Sequence, residues 1–188
     1  MKKIILLLAF LFTNQIQASH IVSGTMSYEY VSTGLSGMTY KVTLLLLRDP
    51  TGIGMPTSVT VYAHKTGVST TSVTLTQQPG SGVSASSFSS CYTLNTNSPP
   101  ELYIYEGSIV LDAGSTYDLA YSTCCRPSSI NNIVSPNSQG IYIGVNLVTS
   151  NASVRAYNNS VTVNPTFSYA QTGIPTPFVF ANPDPDGD

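Results

Sequence analysis

Beyond residue 19 the apolar and polar positions of this chain alternate with a period of two, the repeat of a half-buried β-strand and not of an amphipathic helix. Met26, Tyr28 and Tyr30 alternate with Thr25, Ser27 and Glu29, and a Gly- and Ser-containing loop over 32–39 leads into a second run, 40–48. That run is apolar on both faces at its centre, Leu44-Leu45-Leu46-Leu47, which predicts a strand buried between two layers. The breakers Asp49-Pro50-Thr51-Gly52 end it. Val59, Val61 and Ala63 continue the alternation, as do Val73 and Leu75, and 77–90 reads as a long, small, Gly-rich loop. Residues 102–111 and 117–121 resume the pattern across Asp112-Ala113-Gly114-Ser115, which reads as a hairpin-like connection. The cleanest strand comes late: Ile141, Ile143, Val145 and Leu147 face one way, Tyr142, Gly144 and Asn146 the other. Residues 153–163 offer one or two more strands. The predicted fold is all-β, a β-sandwich of about eight or nine mostly antiparallel strands.

Both ends depart from this pattern. Met1-Lys2-Lys3, the apolar run 4–12 and a site with Ile16 at −3 and Ala18 at −1 read as a secretion signal, a helix removed on export. The run is far short of the ~20 residues of a spanning helix, so no membrane span is expected in the mature chain. From 165 onward Pro165, Pro175, Pro177, Pro183 and Pro185 interrupt an extended segment, as in a linker. The expected division is a signal peptide at 1–18, a sandwich domain at 19–164, and a Pro-rich linker with the start of a following module at 165–188.

Composition narrows the class of partner. Only 9% of the 188 residues are charged, and roughly a quarter are Ser or Thr. With Lys2 and Lys3 removed, five basic residues face nine acidic ones, so there is no basic patch for phosphates and nucleic acid is excluded as a partner.

Candidate chemistry is sparse. His20 and His64 are the two histidines, and no nucleophile elbow, metalloprotease helix or phosphate-binding glycine loop accompanies them. Glu101 and Glu106, five apart on one strand, face opposite sides and do not make a glycosidase pair. Asp112 and Asp118 flank a turn and are read as capping it. No catalytic residue and no cofactor-binding residue is assigned, and the chain is read as not an enzyme. Asp184, Asp186 and Asp188 have the one metal-like spacing: three alternate carboxylates that converge on a Ca2+ ion, or else form a solvated acidic linker. Cys91, Cys124 and Cys125 are the disulfide candidates. A bridge from Cys91 to either member of the pair is expected, since it closes a long polar loop and is worth roughly 3–4 kcal/mol in the chain-entropy model; a Cys124–Cys125 bridge is the more strained alternative. Zinc fits poorly with adjacent cysteines and two histidines. Tyr103 and Tyr105 share a face, as do Tyr117 and Tyr121. Exposed, they stack on sugars; buried, they fill the core, and the core is the better reading.

Several motifs in order carry a resemblance: Ser19-His20-Ile21-Val22-Ser23-Gly24, Tyr40-Lys41-Val42-Thr43-Leu44 with Arg48-Asp49, Tyr105-Glu106-Gly107, Cys124-Cys125-Arg126, Asn132-Ile133 and Gly140-Ile141-Tyr142. Together they resemble the N-terminal region of large secreted surface proteins of the Bacteroidota, of the PKD-repeat or gliding-motility-associated type. That family commonly has a Cys after the Arg-Asp pair, where this chain has Pro50, and another near the Pro-Pro segment, here Pro99-Pro100-Glu101. The cysteine pairing therefore stays open. The resemblance implies export by the type IX route and a location in the secreted or cell-surface fraction. Low charge, abundant Ser, Thr and Tyr and the lack of a catalytic motif give the expected role, a non-enzymatic one in adhesion or surface assembly. The alternative is a carbohydrate-binding module. Implied partners are a surface polysaccharide, a surface protein, or further modules of the same chain.

Overall fold

The computed structural model describes residues 21–65, 67–68, 70–84, 100–128 and 130–149. The segments read as signal peptide, as strands over 153–163 and as linker over 165–188 lie outside these, together with Cys91, Asp184, Asp186 and Asp188. Eight strands are described: β1 (Ile21–Gly34), β2 (Gly37–Arg48), β3 (Ser58–Lys65), β4 (Thr71–Gln77), β5 (Val83–Ser84), β6 (Glu101–Leu111), β7 (Thr116–Cys124) and β8 (Gly140–Val148). One 3-10 turn, Pro136–Ser138, is the only helical piece among the described residues.

All pairings are antiparallel, in the order β1-β2-β6-β4-β3-β7-β8, with β5 beside β6. Two walls follow. β1, β2 and β6 form one through long ladders, Ile21 to Gly34 against β2 and Met38 to Arg48 against β6. β4, β3, β7 and β8 form the other. The walls are joined at one side by a short ladder, Thr76 to Glu106 and Gln77 to Tyr105. At the other side β1 packs on β8, where Gly24 admits the Ile143 side chain beside Leu46. The fold is sandwich-like, as the alternation predicts. β2, β6, β4 and β3 make a Greek key, with the connection 49–57 carrying the chain from one wall to the other.

A single core fills the space between the walls. Met26, Val42, Leu44, Leu46, Val61, Leu75, Leu119, Ile143 and Leu147 belong to it, and Tyr40 and Tyr105 are its largest fully buried side chains. Leu45 and Leu47 on the opposite face of β2 are buried too, so the reading of 40–48 as a strand covered on both sides holds.

Three local expectations need correction. The loop placed at 32–39 is far shorter, because β1 runs to Gly34 and β2 restarts at Gly37, leaving Leu35 and Ser36 at an exposed tip. The loop at 77–90 begins by continuing along β6: Gln78 N–H donates to Ile104 O at 2.8 Å, Gly82 N–H to Leu102 O at 2.8 Å, and Val83 pairs with Leu102. Gly and Ser residues hide that pairing, since it is made by backbone groups and by the Ser81 hydroxyl, which accepts the Ile104 N–H at 3.0 Å and donates to Ile104 O at 3.2 Å. Lastly, 112–115 is not a hairpin. β4 and β3 lie between β6 and β7, so the turn is an arch between walls. Buried Thr149 holds it there (1% exposed). Its Oγ1 accepts the Ser115 N–H at 2.8 Å and places its proton between Asp112 O at 2.7 Å and Ser115 O at 2.9 Å.

Candidate binding face

Most of the singled-out side chains prove to have structural partners. Tyr105, Tyr117 and Tyr121 are buried in the core, and Tyr103 packs against it. Burial pushes the Tyr105 and Tyr121 hydroxyls up, and Tyr40, edge-on to Tyr28 and Tyr30, is pushed up to about 12, first by burial and then by its two phenol neighbours. Glu106 pairs with Lys41 at 2.8 Å. Glu101 accepts from Arg48 Nη1 at 2.5 Å and from the Tyr103 hydroxyl at 3.2 Å. The two glutamates are thus held apart by different bases.

Arg48 ends β2 nearly buried (7% exposed), and its remaining N–H groups organise the crossover. Nε donates to Ile53 O at 2.6 Å, while Nη2 donates to Gly52 O and reaches Pro50 O at 3.5 Å. Asp49 Oδ1 accepts from Thr51 N–H at 2.9 Å, the expected turn-forming use of Asp before Pro-Thr-Gly. Tyr105 donates to Pro56 O at 2.8 Å from the core side. In the Cys124-Cys125-Arg126 motif the two cysteines are joined to each other by a disulfide, so the vicinal alternative replaces the expected bridge from Cys91, which itself lies outside the described residues. Arg126 clamps the 125–139 loop, its N–H bonding Gln139 O at 3.0 Å and its Nε donating to Gly140 O at 3.2 Å.

Asp112 and Asp118 separate. Asp112 stays at the arch, accepting from Lys65 Nζ at 3.1 Å and from the Tyr117 hydroxyl at 3.2 Å, and these bonds hold its carboxyl below the usual range. Asp118 instead faces outward on β7, where it accepts the Tyr142 hydroxyl of β8 at 2.7 Å. That bond raises the Tyr142 phenol.

Asp118 leads to the feature that sequence reading passed over. Strand register sets the outward side chains of β4, β3, β7 and β8 in rows. Ser72 stands beside Tyr62, Tyr62 beside Ala120, and Ala120 beside Gly144; His64 stands beside Asp118, and Asp118 beside Asn146. Ser58, Thr60, Thr74 and Thr76 fill the rest of β3 and β4, all exposed. Tyr62 and Tyr142 are 47% and 61% exposed, and the Tyr62 ring lies nearly parallel to His64, 24° apart with centroids at 6.2 Å. Tyr142 lies down across Gly144: a Cβ there would stand 2.9 Å from its Cε1 and 3.2 Å from its Cζ. Among the described residues Asp118 is the one carboxylate on this face. The available signal was a tyrosine on the polar side of the best-patterned strand, two residues before a glycine.

Among the described residues no three His, Cys, Asp or Glu side chains converge for a metal ion, and no helix is long and apolar enough to cross a membrane. The face is weakly charged and carries two exposed tyrosine rings. No protein-family model, no curated protein and no solved structure matches the chain.

Proposed function

We propose that this chain is a non-enzymatic, exported cell-surface module that acts in adhesion or surface assembly, at the head of a large Bacteroidota surface protein of the type its motifs resemble. The observation that carries this reading is the outward face of the β4-β3-β7-β8 wall. Ser58, Thr60, Ser72, Thr74 and Thr76 spread hydroxyls over it, and Tyr62 and Tyr142 add exposed ring area. Such a surface makes many weak polar and stacking contacts and gives little electrostatic steering. Contacts of this kind gain strength by repetition, since linked modules convert weak sites into avidity. The residues behind the resemblance have architectural roles that fit a scaffold: Gly24 closes β1 on β8, Arg48 ties the crossover, and Arg126 clamps a loop. In the same reading, Asp184, Asp186 and Asp188 bind Ca2+ where the next module begins.

The test compares cells with and without the gene for attachment to surfaces and for hydrolysis of polysaccharide and peptide. Reduced attachment with unchanged hydrolysis is expected. Normal attachment combined with lost hydrolysis would overturn the adhesive reading.

A further inference from the structure

We propose that the outward face at Tyr62, His64, Asp118, Tyr142 and Asn146 is a binding site for a neutral saccharide, whose pyranose rings lie on the two tyrosines. This deepens the adhesive reading of the same wall and rests on it.

The rings are held ready for such a ligand. A tyrosine on a strand normally stands off the sheet with free χ1; here Gly144 leaves room for the Tyr142 ring to lie flat, and the bond to Asp118 fixes its far end. A ring over a neighbouring glycine also protects the sheet itself, and that alone would explain Tyr142. It does not explain Tyr62, which has no glycine beneath it and is half exposed beside His64. Tyr62 and Gly144 stand on either side of Ala120, their backbones about 10 Å apart by the strand spacing, so the two exposed rings offer separate stacking positions on one face. Ala120 forms the floor at 5% exposure.

The polar groups suit hydroxyl recognition. Asp118 uses Oδ2 for Tyr142, and its Oδ1, with no protein donor among the described residues, accepts from a sugar hydroxyl. Asn146 in the same row both donates and accepts. His64 holds Nδ1 against Thr70 Oγ1 at 3.0 Å, which orients the exposed ring. A pyranose presents C–H groups on one face and hydroxyls at its rim, matching aromatic faces bordered by these groups. The charge decides the subclass. With a carboxylate at its centre and no Lys or Arg on the described face, the site repels uronate and sulfate groups.

The experiment is native electrophoresis of the whole chain through gels containing galactomannan, laminarin, xylan or alginate. Retardation in at least one of the three neutral gels and none in alginate is expected. Tyr62→Ala and Tyr142→Ala should each weaken the retention about tenfold or more, as loss of an anchoring aromatic does. Tyr142→Phe keeps the ring and should retain a larger part than Tyr142→Ala. Far-UV circular dichroism checks that each variant folds, and Tyr62→Ala, at an exposed position, serves where Tyr142→Ala does not. No retardation in any neutral gel, equal retention by folded Tyr62→Ala, or retention in alginate would each overturn the proposal. If the unaltered chain is not retained in any neutral gel while attachment of cells still depends on the gene, the saccharide site is removed and the adhesive role stands.

Discussion

Gly24→Ala tests the seam that turns a curled sheet into a sandwich. The new Cβ would sit 2.5 Å from Ile143 Cδ1, 2.7 Å from Leu46 Cδ2 and 2.7 Å from Leu45 O. The two methyls are ends of flexible side chains and can swing aside. The carbonyl cannot, because it belongs to β2, which is laddered to β1 and β6 on its two sides. The added methyl therefore pushes β1 off β8 or off β2, an overpacking cost of about 1–3 kcal/mol. Replacing Gly by Ala also restricts the unfolded chain, which stabilises by roughly 0.4–1 kcal/mol. The net expectation is a loss of up to about 2.6 kcal/mol, or a fall in Tm of up to about 10 °C for a domain of this size. Gly34→Ala is the internal control, since nothing lies within 4 Å of its Cβ position and its backbone is ordinary; it should be neutral or slightly stabilising. Urea unfolding followed by circular dichroism measures both. If Gly24→Ala is as stable as Gly34→Ala, the close approach at Gly24 to the Leu45 carbonyl and to the Ile143 side chain of β8 is absent.

Thr149→Val keeps the shape but leaves the Ser115 N–H and the Asp112 carbonyl without their partner, so a loss of about 2–4 kcal/mol is expected by urea unfolding, with Thr149→Ser recovering most of it; a change below about 0.5 kcal/mol would mean that water replaces the hydroxyl. Arg48→Met strands the partly exposed Glu101 carboxylate and frees the crossover, with an expected cost of about 2–3 kcal/mol, the low side for a broken buried pair, and faster proteolysis within 49–57; unchanged cleavage would show that the loop is held by other means. In alkali, the folded values of Tyr40, Tyr105 and Tyr121 all lie above the unfolded value of about 10. The folded state therefore keeps protons that the unfolded state has lost. Stability is full below about pH 10 and falls as pH rises toward 12, by up to about 1.4 kcal/mol per pH unit for each tyrosine. Phenolate absorbance and circular dichroism should change together; phenolate appearing near pH 10 for every tyrosine with the fold intact would refute the burial argument.

The strands themselves were legible because alternation is local. A pleat sends neighbouring side chains to opposite faces, so Ile141 to Leu147 on one side and Tyr142 to Asn146 on the other declare a strand and its buried face without knowledge of any partner. The core tyrosines were legible on the same ground, each lying in phase with Val or Leu. The four consecutive leucines of β2 likewise announced burial on both faces.

Pairing was not legible, because Val- and Leu-rich faces are interchangeable and register is set by contacts far apart in the chain. The turn at 112–115 looks the same whether it makes a hairpin or an arch; Thr149, 34 residues on from Ser115, decides it. Arg48 likewise reads as a strand-end charge until Glu101 closes against it, 53 residues away. The binding face shows the limit most plainly. Tyr62, Asp118 and Tyr142 lie on three strands, and each alone is an ordinary polar-face residue. Alternation by itself placed Tyr62 and Tyr142 on the polar sides of their strands, while Asp118 read as a turn cap. Only the order β3-β7-β8, set by backbone pairing, brought them into one surface.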